Sequence, residues 1–157
     1  METTPHPELV TRTASVDKLQ ECLRCELSAV ETYGLAIETP PLVCLHRTLQ
    51  EILMSHARRT AQLRDRLLRL GAEPVPSASA WSAFVDAIET GADHPGGRAA
   101  IAALEDGESR GLDLYEDSVA ACDLWTRTLI AADFLPEQQR THDLCWSLKK
   151  YIDAPSW

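Results

Sequence analysis

At 157 residues the chain is long enough for one domain with its own core, and its 45% hydrophobic and 25% charged residues are those of a globular protein. A formal net charge of -9 argues against nucleic acid or an anionic membrane as partner, since both reward clustered Lys and Arg, and no apolar run approaches the roughly 20 residues of a membrane-spanning helix. The first residues lack the basic and apolar regions of a secretory signal, and five cysteines, an odd number, make no disulfide framework, so a cytoplasmic setting is expected.

In chain order, residues 1–14 are rich in Thr and carry two prolines, which predicts a flexible tail, and Ser15 is the expected N-cap of a first helix, with Asp17 in its first turn. Leu19, Cys22, Glu26, Val30, Tyr33 and Ile37 then recur at steps of three and four, one face of a helix that Pro40-Pro41 closes. A second helix carries Leu45, Leu49, Ile52, His56, Leu63, Leu67 and Leu70 and ends at Gly71. A Pro-rich connection follows, with a short apolar helix expected near Trp81, Phe84, Val85 and Ile88. After a break at Gly91–Gly97 a third helix shows Ile101, Leu104, Glu108, Leu112, Tyr115, Val119 and Cys122 on one face. The fourth spans roughly Leu124 to Ile152 and contains Pro136, which predicts a kink about one turn back. Residues 15–152 are thus expected to form one all-α domain, an antiparallel four-helix bundle with a long crossover connection, and 153–157 a short tail.

The helices repeat. Glu26 and Tyr33 match Glu108 and Tyr115 at an offset of 108 − 26 = 82. For the even helices, Glu51 and His56 match Glu137 and His142 at 142 − 56 = 86. A helical hairpin therefore occurs twice.

The stretches 51–71, 104–115 and 135–142 resemble the ferritin-like superfamily, and bacterial ferritin-like four-helix-bundle proteins in particular, over most of residues 15–152. The di-iron members of that superfamily draw one Glu from each of two helices and Glu-x-x-His from each of the other two. The resemblance implies metal ligands at Glu26, His56, Glu108 and His142. The bridging carboxylates are missing: Leu53 and Gln139 stand three residues before the two histidines, while Glu51 and Glu137 stand five before, on another side of an ideal helix. Two Glu and two His without bridges suit one divalent transition metal, Fe, Zn or Mn, rather than a pair.

Two further readings stand beside this one. The polar residues can pair with each other in a metal-free helical scaffold or partner-binding module. Alternatively, Cys22 and Cys25, at redox-motif spacing, can form a thiol site, although the expected helix offers no βαβ context. Cys122 lies on a core face and Cys145 stands three residues past His142, where a free cysteine most often reads as a small buried hydrophobe, and Cys44 is assigned no role. A second copy of the chain, as a homodimer, or another protein are the partners left open, and no substrate or reaction is indicated.

Overall fold

The computed structural model of the chain describes residues 7–78, Asp86 and 97–155. Among these there is no strand, and four long helices pack together. Helix α1 is Pro7–Glu38; a 3-10 turn, Pro40–Leu45, joins it to α2, His46–Arg69. Helix α3 is Arg98–Ala121. Helix α4 covers residues 124–153 in three consecutive pieces: α-helical Leu124–Leu129, π-helical Ile130–Phe134 and α-helical Leu135–Asp153. The short helix expected near Trp81–Ile88 lies, apart from Asp86, outside the described residues.

The helix ends follow local chemistry with one correction. Gly71, at φ 72, closes α2: its N–H bonds Leu68 C=O at 2.9 Å, and the N–H of Ala72 bonds Leu67 C=O at 3.0 Å. This pair of bonds needs a left-handed residue, which glycine supplies without a Cβ clash. Ser15 is not an N-cap, because α1 begins at Pro7 and so takes in half of the expected tail. The Ser15 hydroxyl is fully buried, donates to Thr11 C=O at 3.0 Å and accepts the Asp123 N–H at 2.8 Å. A residue that looked like a local stop signal instead ties α1 to the start of α4.

Where a kink is expected from Pro136, the structure shows a π-helical stretch about one turn back. The proline has no N–H to give, and just ahead of it the Leu135 N–H reaches five residues back to Ile130 C=O, widening that turn.

Two apolar clusters fill the bundle, one at each end. The first gathers Tyr33, Leu42, Leu49, Ile52, Ile101, Leu104, Cys145 and Leu148; the second gathers Leu19, Leu23, Leu63, Leu67, Tyr115, Ile130 and Phe134. Following each helix through them gives its direction. Helices α2 and α3 both run from the first cluster to the second, and α1 and α4 run from the second to the first. The order is therefore up, down, down, up. Neighbouring helices are antiparallel, with α1 packed on α2 and α3, and α4 packed on the other sides of those two. Because α2 and α3 point the same way, the connection between them must return along the bundle, roughly 36 Å for a 24-residue helix. Its described beginning does run beside α1: Gln20 Nε2 donates to Glu73 C=O at 2.7 Å, and the Val75 N–H donates to Gln20 Oε1 at 3.0 Å.

Candidate functional site

Between the two apolar clusters every helix contributes polar residues to the interior: Glu26 from α1, Ser55, His56 and Arg59 from α2, Glu108 from α3, and Gln138 and Thr141 from α4. None of the seven is more than 3% exposed, so their charges have only each other for company.

His56 is the centre of the layer. Its Nδ1 lies 2.7 Å from Glu26 Oε2, and its Nε2 lies 2.9 Å from Glu108 Oε1. Arg59, one turn on, donates from Nε to Glu26 Oε1 at 2.8 Å, from Nη1 to Ser55 Oγ at 2.8 Å and from Nη2 to Gln138 Oε1 at 2.9 Å. Arg59 Nη2 also stands 2.7 Å from His56 Nδ1, two cations side by side. Glu26 offsets that repulsion by taking Arg59 on one oxygen and His56 on the other. Glu108 is completed by Gln138 Nε2 at 2.8 Å and Thr141 Oγ1 at 2.9 Å, both on Oε2.

The tyrosines serve the carboxylates crosswise. Tyr33, in the first hairpin, donates to Glu108 at 2.7 Å, and Tyr115, in the second, donates to Glu26 at 2.6 Å. Both phenols are pushed well above their ordinary range, first by burial and then by the carboxylate each faces, so they stay protonated donors.

Burial alone would raise both carboxyls, yet His56 and Arg59 hold Glu26 below its ordinary value, and His56, Tyr33 and Thr141 do the same for Glu108. For His56 burial works the other way, and the two glutamates overcome it, lifting the imidazole to about 9. The layer at neutral pH is two carboxylates against one imidazolium and one guanidinium. Its formal charge is zero.

Of the four residues expected to meet, three do. His142 does not: its Nε2 is 3.7 Å from Glu105 and its Nδ1 is 3.4 Å from Asp143, at the edge of the bundle. It stands four residues past Gln138, one turn and roughly 6 Å along the helix from the level of His56. The matching offset for the even helices is 138 − 56 = 82, the same as for the odd pair, and it aligns Arg59 with Thr141 as well. Glu51 and Glu137 stay outside, both paired with Arg140, at 2.6 Å and 2.8 Å. Leu53 packs against the first apolar cluster, and Gln139 is exposed, donating to Asp143.

The arrangement does not form a shared coordination sphere. Among the described residues no three His, Cys, Asp or Glu side chains are grouped to hold a metal ion. The three acidic and imidazole groups that do meet present His56 as a spacer, its two nitrogens facing opposite carboxylates. The four carboxylate oxygens already accept seven hydrogen bonds. One donor belongs to Arg59, a fixed cation inside the ligand set.

The cysteines are all free. Burial pushes the Cys22, Cys25 and Cys145 thiols up to about 12, away from the thiolate that nucleophilic or redox chemistry requires. No helix among the described residues is long and apolar enough to cross a membrane.

Above the charged layer, between α1 and α3, lies a cavity of about 1050 Å³. His56, Glu108, Gln138 and Tyr33 reach it from below, small residues line its walls, and Arg24 and Arg110 stand at its rim. Comparison of the chain with protein-family models, curated proteins and solved structures finds no match. The class therefore rests on architecture and site alone: an all-α four-helix protein with an internally neutral charged layer.

Proposed function

We propose that this chain is a ferritin-like protein that works without a metal, as a helical binding module whose site is the cavity between α1 and α3. The up, down, down, up order and the doubled hairpin support the ferritin-like part of the reading. One observation carries the metal-free part. Arg59, 1% exposed, lies among the carboxylates, and with protonated His56 it supplies the two positive charges that a divalent ion would otherwise bring. A metal on Glu26, His56 and Glu108 would have to displace a guanidinium and turn an imidazole held at both ends. No bridging carboxylate repays that cost. The cavity supports the binding part, since a concave site with convergent polar groups at its base is where ligands are ordinarily held.

The test is elemental analysis of untagged protein, with thermal unfolding in the presence and absence of EDTA. The expected result is no stoichiometric Fe, Zn or Mn and an unchanged midpoint. About one metal per chain, with a midpoint that falls on chelation, would return the reading to a single-ion site on Glu26, His56 and Glu108.

A further inference from the structure

The cavity has a direction. Glu26 and Glu108 face each other through His56 in antiparallel helices, so Arg24, two residues before the one, and Arg110, two after the other, stand at the same level on opposite walls. Both side chains are exposed, and among the described residues neither guanidinium has a carboxylate or hydrogen-bond partner. Of the other thirteen Arg and Lys side chains, all but Arg47, which does not line the cavity, lie in ion pairs or over a carbonyl or ring.

From that level the walls run along Ala29, Ala99, Ala102 and Ala103, with Ser28, Thr32 and Asp106 the polar side chains among them. A Cβ placed on Gly107 would meet nothing within 4 Å, whereas one on Gly111, a turn further along α3, would come within 2.7 Å of the Gln138 amide. Among the described residues the bundle is closed at Gly111 and open at Gly107. Along α3 the lining extends from Ala99 to Leu114, roughly 22 Å of helix.

A largely apolar trough crossed by two guanidinium groups without partners among the described residues has a definite complement. We infer that the cavity binds an elongated amphipathic carboxylate, of the acyl-chain type, with its chain along the α1–α3 walls and its head group between Arg24 and Arg110. Guanidinium groups recognise a carboxylate through paired N–H donors, and the apolar walls contribute by area removed from water. The buried layer below takes no part in holding the charge, because every one of its donors is already used. This inference rests on the binding-module reading given above, and deepens it by naming a ligand class.

The experiment is titration calorimetry of the full chain with dodecanoate below its micellar concentration, beside dodecanol and butyrate. Dodecanoate is expected to bind one per chain, at least tenfold tighter than dodecanol and a hundredfold tighter than butyrate. Arg24→Gln with Arg110→Gln should weaken dodecanoate at least tenfold and leave dodecanol unchanged. Gly107→Leu, with its helical circular dichroism and unfolding midpoint retained, should abolish binding of both. The inference is overturned if dodecanoate does not bind, if the arginine and glycine variants bind it as the parent does, or if Gly107→Leu lowers the midpoint sharply, since the space would then already be filled by the chain itself. Metal content is read separately, so a metal-free protein that ignores dodecanoate removes this inference and leaves the metal-free reading standing.

Discussion

Replacing Arg59 by Met keeps an unbranched stem and removes the guanidinium and its charge, and the cost follows from the layer's composition. Glu26 loses a donor at 2.8 Å, Ser55 and Gln138 each lose theirs, and two carboxylates are left facing one imidazolium. Breaking one partner of a buried ionic group costs about 3–5 kcal/mol, because the remaining charge stays in a medium that solvates it poorly. Against the 5–15 kcal/mol typical of a folded domain, that is a large share. Restoring neutrality should restore much of it: with Glu26→Gln added, Glu108 and His56 balance again, and the double variant should be about 1–3 kcal/mol more stable than Arg59→Met alone. The pH dependence changes as well. In the parent, Glu26 and Glu108 lie below their ordinary values, so their contribution is present above about pH 4.5 and is lost as pH falls. In Arg59→Met the surplus negative charge favours proton uptake, and stability should rise between pH 6 and pH 4.5. Urea unfolding followed by far-UV circular dichroism at both pH values measures all of this. A loss below about 1 kcal/mol, with the parent's pH slope, would refute the view that Arg59 serves as the layer's fixed cation.

Three other outcomes are expected. His56 is lifted from an ordinary 6.5 to about 9, so its contribution is whole below pH 6.5 and fades as pH rises towards 9, about 3 kcal/mol in all; urea midpoints across that window should fall in the parent and stay flat in His56→Gln. Gly111→Ala should destabilise by about 1–3 kcal/mol despite alanine's better helix propensity, because its methyl meets Gln138, whereas Gly107→Ala should be neutral or stabilising by up to about 1 kcal/mol; thermal melts of the two compared side by side decide it. Ser15→Ala strands the Asp123 N–H and should cost about 1–3 kcal/mol, with hydrogen exchange at Asp123 accelerated first; unchanged protection there would mean the N–H has another acceptor.

The four helices were legible because each buries one stripe, and stripes at steps of three and four survive in the sequence whatever fills them. Gly71 and Pro136 were legible for the same local reason: each does at its position what its backbone chemistry obliges it to do. Glu26, His56 and Glu108 could be brought together because they interrupt those stripes. His142 was misplaced because residue identity was matched before register. Pairing a histidine with a histidine gave an offset one turn too long, whereas the offset of the odd helices, carried over, leads to Gln138 and Thr141. Arg59 falls on the α2 stripe between His56 and Leu63, and it was passed over because an arginine beside Arg58 reads as surface charge. The burial of a cation cannot be seen without the carboxylate that receives it, and that carboxylate is 33 residues away in the chain. Ser15 likewise has the chemistry of a cap, and only the distant Asp123 amide shows what it is for.

The single offset of 82 has an arithmetic of its own. Two copies of the first hairpin, joined about an exact twofold axis, would set two His56 and two Arg59 against two Glu26, a surplus of two positive charges in the interior. Two copies of the second, with Gln138 and Thr141 in those places, would leave two Glu108 with no cation at all. Only the unlike pair sums to zero. Each half therefore repels its own kind at the centre and is completed by the other, down to the phenol each lends to the other's carboxylate. Neutrality here belongs to neither hairpin, and joining them in one chain delivers the two in equal number, side by side, every time one is made.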